Sequence, residues 1–592
     1  IDMPVSAPQS AASAASVAAV NAAMPATLNA LKSDVAMASN SANGVVNLAH
    51  VAPTDGTDAA DAINAILASA QNVYIPSGVS FTVAKPLIST VAGQTITGDG
   101  GAFVATAALA NASLLSVRGN GTTINGVVFQ NPTQTGVRSA TGGNRNIGVY
   151  IEADYVTVNA CKVDRFQNGI IVSAFGEFYG HIITSNIVSN VAGCGAGPAD
   201  LTDTFGEDRG DGICTWGALA TISNNIVYAM PGSDARIGIH VENLGSYHGY
   251  QYGSDRMATI TSNLVTGPFR RAIVSEQCHN TTISDNTVAD STWWGITAAR
   301  CNNTVISGNS VRFNRLSTDL SGAAWSPVYA GIMLYGGVSD CVVSNNTVEV
   351  SDGFGEGISI QGEENNSAQV AANVIGNPNG TNIVPITTAN VNLLRGMILT
   401  GTGVPAGTQV LGISRDGKTL TLNNNVTTGS NITLNAFVRG RAQNIIISGN
   451  NVVCNANDAT ANRNGIFVKA VDGAVVKGNI VYQSKRYGIN FFLAGDLICQ
   501  SNVIKGVAGA TYGIYVQYNP VGVSQILDNQ IEAHSPCIGI INKANALYPT
   551  LIQGNVLKNA ATSIDMFGSD YYSIKDNIEV GITPGWGDRG VL

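Results

Sequence analysis

Between residues 261 and 311 the sequence runs Thr261-Ser262-Asn263-Leu264-Val265, then Ser284-Asp285-Asn286-Thr287-Val288, then Ser307-Gly308-Asn309-Ser310-Val311. The three asparagines stand 23 residues apart. Related tripeptides end in asparagine along most of the chain, at Asn186, Asn225, Asn346, Asn373, Asn450, Asn479, Asn502, Asn529, Asn555 and Asn577. This pattern indicates a structural repeat of roughly 23 residues between about residues 120 and 580, with insertions where the spacing is longer.

Each repeat carries two short alternating strands, one around the asparagine and one that begins Gly-Ile, as in Gly238-Ile239-His240-Val241-Glu242. One unit is too small to hold a core, so stacked units must bury a continuous one through parallel strand pairing. Parallel crossovers are nearly always right-handed. We expect each asparagine to take the left-handed conformation and to bond to its counterparts above and below. The sequence thus predicts an all-β, right-handed parallel β-helix.

Composition excludes several classes of protein. The chain has 592 residues, a net charge of -9 and only 12% charged residues, which argues against nucleic-acid binding. No apolar run is long enough to insert into a membrane, and the given N-terminus shows no signal-peptide pattern, so we expect a soluble protein. The nine scattered cysteines are interpreted as core residues of a protein that matures in a reducing compartment. No metal motif is present, and we expect no metal and no cofactor.

The chain divides by pattern into five segments. Residues 1–45 form an Ala-rich helical stalk or a flexible linker, and residues 46–118 a capping helix, expected over 57–71, with the first coils. Residues 119–378 form the β-helix that bears the catalytic face. Residues 379–438 break the asparagine spacing and form a small all-β insertion, and residues 439–592 the last coils and tail.

The segment Asp55-Gly56-Thr57-Asp58-Ala59-Ala60-Asp61-Ala62-Ile63, followed by Val73-Tyr74-Ile75-Pro76-Ser77-Gly78, is similar to the opening of bacteriophage tailspike proteins. Together with the coils, it resembles the pectate-lyase-like β-helix superfamily. The resemblance implies a polysaccharide depolymerase that acts on O-antigen or capsule. It also implies a homotrimer that attaches to the phage tail through its N-terminus. The protein would then reside in the virion tail after synthesis in the host cytoplasm, or outside the cell if it is bacterial.

The coils can be aligned on Gly-Ile, with the two residues of that pair counted as strand positions one and two. The third and fifth positions then lie on the outer face. Glu242 and Glu276 then occupy the fifth position of neighbouring coils, and His240 lies on the same face. Like charges that face each other destabilise a sheet, so the pair calls for a function. Two close carboxyl groups separate their pKa values and leave one acid and one base or nucleophile. Alternatively, both point into solvent and are screened by Arg236, Arg270 or Arg271.

Aromatic and basic residues surround this pair. Trp216 lies one coil below it, Trp293 and Trp294 one coil above, and Tyr335 follows; these rings are candidate sugar platforms, or packing residues beneath turns. Arg236, Arg270 and Arg300 are candidate substrate contacts. In the loop 204–211, Asp208 and Asp211 could supply a catalytic carboxylate or bind an ion, or could merely make the loop soluble.

Three functions fit this face. The first is an endo-acting depolymerase that hydrolyses a bacterial surface polysaccharide with Glu242 and Glu276 as the catalytic pair. The second is a polysaccharide lyase, in which His240, a tyrosine or an arginine removes a proton while Arg236 or Arg270 neutralises a uronate. The third is a non-catalytic glycan-binding adhesin that uses the same groove.

Overall fold

The computed structural model describes residues 44–581, with gaps at 110–111, 135–145, 174–177, 193–209, 217, 234, 243–256, 314–328, 351–354, 364–368, 389–392, 394–396, 415–416, 438–439, 455–463, 518–521, 542–548 and 568–571. The proposed stalk, residues 1–45, therefore lies almost wholly outside the described part, as does Asp208. Within that part, no helix has the length and apolar character needed to cross a membrane.

The chain forms a right-handed parallel β-helix, as the repeat predicts. Each full coil contributes one strand to each of three parallel sheets, which we number in the order in which a coil visits them. The sheet 1 strands are Val46–Asn47, Asn72–Ile75, Thr95–Gly98, Thr123–Asn125, Thr157–Asn159, Tyr179–Thr184, Ala218–Ser223, Ala258–Thr261, Thr282–Ser284, Val305–Ser307, Val342–Ser344, Ala442–Ser448, Val471–Lys477, Gly495–Gln500, Ser524–Leu527, Thr550–Gln553 and Tyr572–Lys575.

The sheet 2 strands are Ser80–Val83, Ala102–Ala105, Val128–Gln130, Lys162–Asp164, Ile187–Val191, Ile226–Ala229, Leu264–Thr266, Thr287–Ser291, Ser310–Phe313, Thr347–Val350, Asn451–Cys454, Ile480–Ser484, Val503–Ala510, Gln530–His534, Val556–Lys558 and Ile578–Val580. Sheet 3 bears the candidate site. Its strands are Leu87–Ser89, Ser113–Val117, Ile147–Ile151, Asn168–Val172, Asp211–Thr215, Ile237–Glu242, Arg271–Glu276, Trp294–Ala299, Tyr329–Tyr335, Gly355–Gln361, Asn464–Lys469, Tyr487–Phe492, Ile514–Gln517, Ile538–Ile541 and Ile564–Phe567.

The repeated asparagines line the turn between sheets 1 and 2 and bond to one another along the axis. Asn263, for example, donates from its backbone N and from Nδ2 to Asn286 Oδ1, at 3.0 and 2.9 Å. The expected left-handed conformation of the asparagine is wrong, because it belongs to the preceding residue, such as Ser262 at φ 56° and Asp285 at φ 56°. That residue makes the turn, so the asparagine side chain can point inward, where it is buried.

Asn373 is not part of this row. Asn346 donates directly to Asn450 Oδ1 at 3.0 and 2.9 Å, which closes the row across the insertion. Residue 373 lies instead in Gln369–Gly376, a strand that pairs antiparallel with Ile432–Phe437. A tripeptide that ends in asparagine therefore identifies a coil of the β-helix only where its asparagine bonds to that of a neighbouring coil.

The insertion is a separate antiparallel unit with its own core. Its strands are Gln369–Gly376, Ile398–Gly401 and Ile432–Phe437 in one sheet, and Ile383–Pro385, Val410–Ile413 and Thr419–Leu422 in another. Buried apolar side chains such as Leu399, Leu420 and Leu434 fill the space between these sheets. The insertion leaves the coil sequence intact, because strand Gly355–Gln361 pairs in parallel with Asn464–Lys469.

The N-terminal end of the coil is covered by an α-helix, Ala60–Leu67, and two 3-10 helices lie at Leu48–His50 and Ala107–Leu109. The helix buries Ile63, Ile66 and Leu67 against the first coils. It is shorter than the expected 57–71, because Asp58 Oδ1 accepts a hydrogen bond from Ala60 N and the residues before Ala60 are not helical.

The glycine of each Gly-Ile pair is required by close packing of adjacent coils. A Cβ on Gly238 would lie 2.3 Å from Val265 Cγ1 and 2.7 Å from the Ala272 carbonyl oxygen. The next residue, Ile239, is also in the core, so the strand changes face at this point. The residue before the glycine therefore joins the third and fifth positions on the outer face of sheet 3.

Candidate active site

Strand register places the two predicted carboxyl groups side by side. Glu242 and Glu276 are direct partners across strands Ile237–Glu242 and Arg271–Glu276. Carboxylate oxygens of both lie within 4.8 Å of each other and of a His240 ring nitrogen. Glu242 is only 7% exposed and Glu276 is partly buried, so the pair does not simply project into solvent. Such proximity in a poorly hydrated place makes simultaneous ionisation costly.

A buried ion-pair network lies next to these carboxyl groups. Arg236 Nε donates to Asp211 Oδ1 at 2.7 Å, and Arg236 Nη2 contacts Asp211 Oδ2. His240 Nδ1 lies 3.2 Å from Asp211 Oδ2 and 3.0 Å from Arg236 Nη2, while His240 Nε2 lies 3.2 Å from Glu242 Oε2. The imidazole thus connects Asp211 to Glu242.

This arrangement differs from two sequence expectations. Asp211 was placed in a loop, but it begins strand Asp211–Thr215 in the column before the glycine. Arg236 was expected to screen the glutamates or contact substrate, but its guanidinium is 5% exposed and bonded to Asp211. A buried arginine takes a buried carboxylate as its partner because an unpaired charge there would be expensive.

Burial and neighbouring charge set the protonation of these groups. Burial acts to raise the pKa of Asp211, but the Arg236 guanidinium outweighs it and holds that pKa well below its usual range. Burial acts to lower the pKa of His240, whereas hydrogen bonds to Asp211 and Glu242 raise it above its ordinary value. Burial, together with the Glu242 charge, raises the pKa of Glu276. Burial and the Glu242 charge thus favour the neutral form of Glu276, while the Asp211 and Glu242 carboxyl groups favour the charged form of His240.

Aromatic rings lie below and above the glutamate pair. Below it, the edge of the Trp216 ring meets His240, with centroids 5.3 Å apart. Above it, Trp293 and Trp294 stack at 4.5 Å, and Tyr335 lies 6.3 Å from Trp294. The three tryptophans are at most 8% exposed, so Tyr335 offers the more accessible ring.

Three further arginines stand around the pair. Arg271 Cζ lies 5.8 Å from the Trp293 centroid and 5.9 Å from that of Trp294, and its charge acts to lower the pKa of Glu276. Exposed Arg300 acts on Glu276 in the same direction. Arg270 is half-buried just before strand Arg271–Glu276. Of the candidate substrate contacts, Arg300 is thus the most accessible.

Among the residues that the structure describes, two groups of side chains have donor atoms close enough to share a metal ion. One contains Asp211, Cys214 and His240, and the other His240, Glu242 and Glu276. The first fits a cation poorly, because the Arg236 guanidinium lies against both Asp211 and His240. The second offers one imidazole nitrogen and two carboxylates, a donor set that several divalent cations accept.

Sequence reasoning missed a further carboxyl on the same face. Glu356 stands just before Gly357-Ile358, in the column that also holds Asp211, Arg271 and Trp294. It is 5% exposed, and burial raises its pKa to about 7. Only the third and fifth positions were assigned to the outer face, so this column escaped notice. The available signal was the glycine that follows Asp211, Trp294 and Glu356, a place that Ala272 takes after Arg271.

Comparisons with known proteins do not extend to a family assignment. A family model described as "Periplasmic copper-binding protein (NosD)" matches residues 195–393, about one third of the chain. No curated protein matches the sequence.

Several solved structures resemble the chain at low identity. A tailspike protein mutant of E. coli bacteriophage HK620, in complex with a pentasaccharide, is 10% identical and covers 92% of this chain and 81% of its own, with a TM-score of 0.48. DFA-IIIase from Arthrobacter chlorophenolicus, in complex with DFA-III, is 12% identical over 55% of this chain and 82% of its own, with a TM-score of 0.40. PfbA, a surface adhesin of Streptococcus pneumoniae, is 12% identical over 80% and 92%, with a TM-score of 0.41.

Proposed function

We propose that this protein is an endo-acting depolymerase that hydrolyses a bacterial surface polysaccharide, O-antigen or capsule, on the outer face of sheet 3. The observation that carries the proposal is the pairing of Glu242 with Glu276 on adjacent strands, beside a buried Asp211–His240 contact. Glycosidic cleavage requires two carboxyl groups in different protonation states. Their environments on this face supply that difference.

The roles follow from the surroundings of each carboxyl. Glu276, whose pKa burial and Glu242 raise, is the general acid that protonates the glycosidic oxygen. Glu242, in contact with His240, is the nucleophile that bonds to the anomeric carbon as the leaving sugar departs. Water then attacks the anomeric carbon while Glu276 accepts its proton, and Glu242 is released. The oxygens lie within 4.8 Å, closer to the separation of about 5–5.5 Å in retaining enzymes than to the wider one in inverting enzymes.

His240, Asp211 and Arg236 are positioning residues in this scheme. Asp211, fixed by Arg236, holds the imidazole so that Nε2 meets Glu242. The same contacts disfavour the lyase alternative for these groups. Both ring nitrogens of His240 already face charged partners, Asp211 and Arg236 at Nδ1 and Glu242 at Nε2, and the Arg236 guanidinium is bonded to Asp211.

The test uses Glu242→Gln and Glu276→Gln, with Glu579→Gln, an exposed carboxyl on sheet 2, as control. We expect each site variant to lose about 10²–10⁴-fold in cleavage rate on a panel of O-antigen and capsular polysaccharides, and the control to match the wild type. Reducing-end release without absorbance from unsaturated uronate would support hydrolysis. Full activity of both variants would refute the catalytic role of the pair. New absorbance from unsaturated uronate would indicate a lyase. A wild type that binds the polysaccharide but does not cleave it would indicate an adhesin.

The pH profile offers a second readout. An acid catalyst must be protonated, so the cleavage rate should fall as pH rises through the pKa of Glu276, which lies above its ordinary value. Addition of a chelator during the same assay would reveal a cation held by His240, Glu242 and Glu276, because activity would then be lost. Activity that persists under chelation supports the carboxyl mechanism.

The assembly of the protein belongs to the same proposal. We propose a homotrimer with residues 1–45 as its stalk, attached through the N-terminus to a phage tail, or an extracellular bacterial protein. Ala-rich segments that are marginal alone can become stable in a bundle. Light scattering of the full chain should give three times the monomer mass of 61.0 kDa. A monomer would rule out the stalk as a trimerisation element.

A further inference from the structure

A group of tyrosines occupies the outer face of sheet 3 well away from the glutamate pair. Tyr512 and Tyr515 stack at 4.1 Å with their planes 9° apart, and Tyr487 lies 5.0 Å from Tyr515. Tyr515 is buried, whereas Tyr487 and Tyr512 are partly exposed. Arg486 covers Tyr487 at 4.8 Å. Tyr487 and Tyr512 are therefore the accessible rings of the group, and only that of Tyr487 is recorded beneath an arginine.

The backbone next to Tyr512 is shaped to receive its ring. Gly539 stands in the third position of its coil, where the coil below carries Tyr515. A Cβ on Gly539 would lie 2.2 Å from Tyr512 Cε1, so only glycine leaves the ring its space. The Tyr512 hydroxyl donates to Asp565 Oδ2 at 3.4 Å, which fixes the ring from its far end. The ring is thus held in one orientation.

A chain of hydrogen-bonded side-chain amides runs down sheet 3 from Gln517, in the strand that carries Tyr515, to the Glu356 carboxyl. Gln517 Nε2 donates to Asn490 Oδ1 at 2.9 Å, and Asn490 Nδ2 donates to Asn464 Oδ1 at 3.1 Å. Asn464 Nδ2 donates in turn to Glu356 Oε1 at 2.7 Å. All three bonds point their N–H groups toward Glu356. Such a chain crosses four coils and fixes each amide by its neighbour.

The Glu356 carboxyl at the end of this chain has spare bonding capacity. Its Oε2 is buried and meets hydrogen-bond geometry with none of the described residues. Ser359 and Gln361 lie near enough to lower its pKa, but burial dominates and leaves it at about 7. A buried polar atom left without a partner calls for a physical explanation. A ligand hydroxyl would provide one.

We propose that Tyr512 and the Gln517–Asn490–Asn464–Glu356 chain form a second carbohydrate-binding surface, which takes a distant stretch of the polysaccharide. The inference rests on the proposed function. The partly exposed ring of Tyr512 offers an apolar surface to a sugar ring, and partly exposed Gln517 offers polar atoms to its hydroxyl groups, while buried Asn490 and Asn464 hold Gln517 in place. Strand Ile514–Gln517, next to Tyr512, is six strands beyond Arg271–Glu276, or roughly 30 Å at 4.8 Å per strand, and the strand of Glu356 is three strands beyond it, or roughly 15 Å. Only a long chain lying along the axis can reach from the glutamate pair to Tyr512.

The test measures binding of intact O-antigen and capsular polysaccharides in the Glu276→Gln background. Tyr512→Ala should weaken binding roughly fivefold to tenfold, whereas Tyr512→Phe, which keeps the ring, should stay within about twofold. Tyr482→Ala is the matched control, because Tyr482 is 37% exposed on sheet 2 in the same coil as Tyr487. Thermal melting of each variant verifies that it is folded.

The outcomes separate this surface from the proposed hydrolysis. Equal affinity of the Tyr512→Ala and Tyr482→Ala variants overturns the second surface, even if the wild type cleaves. A wild type that cuts nothing, but whose binding depends on Tyr512, refutes hydrolysis and upholds the surface. Failure to bind any polysaccharide of the panel overturns the surface as well.

Discussion

The lower part of sheet 3 comprises strands Asp211–Thr215 to Arg271–Glu276, and the upper part strands Gly355–Gln361 to Ile514–Gln517. Both parts follow the same repeat, but their buried carboxyl groups have different partners. In the lower part, Asp211 is neutralised by Arg236 and contacts His240, which in turn meets Glu242. In the upper part, Glu356 has an amide donor, Asn464, in place of a cation. A guanidinium partner holds a buried carboxyl ionised, whereas burial pushes Glu356 toward its neutral form even though the hydrogen bond from Asn464 opposes this shift.

The proposed acid–base chemistry belongs to the lower part, because it requires carboxyl groups with separated pKa values, and burial together with the Glu242 charge raises the pKa of Glu276. The upper part has fixed amides and tyrosines, which suit recognition of a neutral ligand. Each substitution described below removes a charged or polar contact in one of these two parts of sheet 3.

The largest expected effect comes from Asp211→Asn in the lower part. The substitution leaves Arg236 without its buried counter-charge, and it should destabilise the protein by about 3–5 kcal/mol. It should also lower the pKa of His240, because the hydrogen bond to Asp211 raises it. Denaturant unfolding and an NMR titration of the imidazole would measure these changes.

Asp472→Asn is the matched control for that change. Arg441 also forms a paired contact with Asp472, at 3.0 and 2.7 Å, but the two side chains are 20% and 34% exposed. Water can replace the lost partner there, so the cost should stay near 1 kcal/mol or below. Equal costs for the two variants would contradict the role of burial in the lower part.

A smaller, pH-dependent effect is expected from Glu356→Gln in the upper part. The folded-state pKa is about 7 against an ordinary 4.5, so the native protein binds this proton more tightly than the unfolded chain. Wild-type stability should therefore fall as pH rises from about 4.5 to 7, by up to about 3 kcal/mol at 1.36 kcal/mol per unit. The Gln variant should lack this loss.

Unfolding free energies at pH 5 and pH 8 provide the measurement. The advantage of Glu356→Gln over the wild type should be larger at pH 8, whereas exposed Glu579→Gln should follow the wild-type curve. If the unfolding free energy of the Glu356→Gln variant differs from that of the wild type by the same amount at both pH values, Glu356 is not held neutral by burial.

The smallest effect is expected from Asn490→Ala, which interrupts the amide chain of the upper part. It removes the bonds to Gln517 and Asn464 and should cost about 1–3 kcal/mol. Gln500→Ala is the control, because Gln500 donates to Asp528 at 3.3 Å in an exposed place on sheet 1. Thermal unfolding of the two variants measures this cost. If both variants lose the same stability, the chain of amides from Gln517 to Glu356 has no structural role.

Much of the fold could be read from the sequence because the repeat is local. The asparagine spacing predicted the coils, and the Gly-Ile alignment predicted the direct pairing of Glu242 with Glu276. The alignment failed where local pattern and strand pairing diverge. Asn373 has the right tripeptide but lies in an antiparallel strand of the insertion, and the left-handed residue precedes each asparagine of the row. The first error concerns strand pairing, which a single repeat does not contain, and the second concerns the backbone of the turn itself.

The candidate site was less predictable than the fold. Sequence reasoning brought Glu242, Glu276 and His240 together, yet it placed Asp211 in a loop and left Glu356 unnoticed. Both residues precede a glycine at which the strand changes face. An alternation rule of two residues cannot anticipate that change, because it depends on how closely the next coil approaches Gly238 and its equivalents.

Strand alternation and a constant period are properties of the chain alone, so the residues that share a column on sheet 3 follow from the order of amino acids. The charge of those residues depends on the folded molecule. Burial, the Arg236–Asp211 bond and the approach of Glu242 to Glu276 set their protonation. Ionisation depends on the distance to neighbouring charges and water in three dimensions, and these distances arise only when the coils stack.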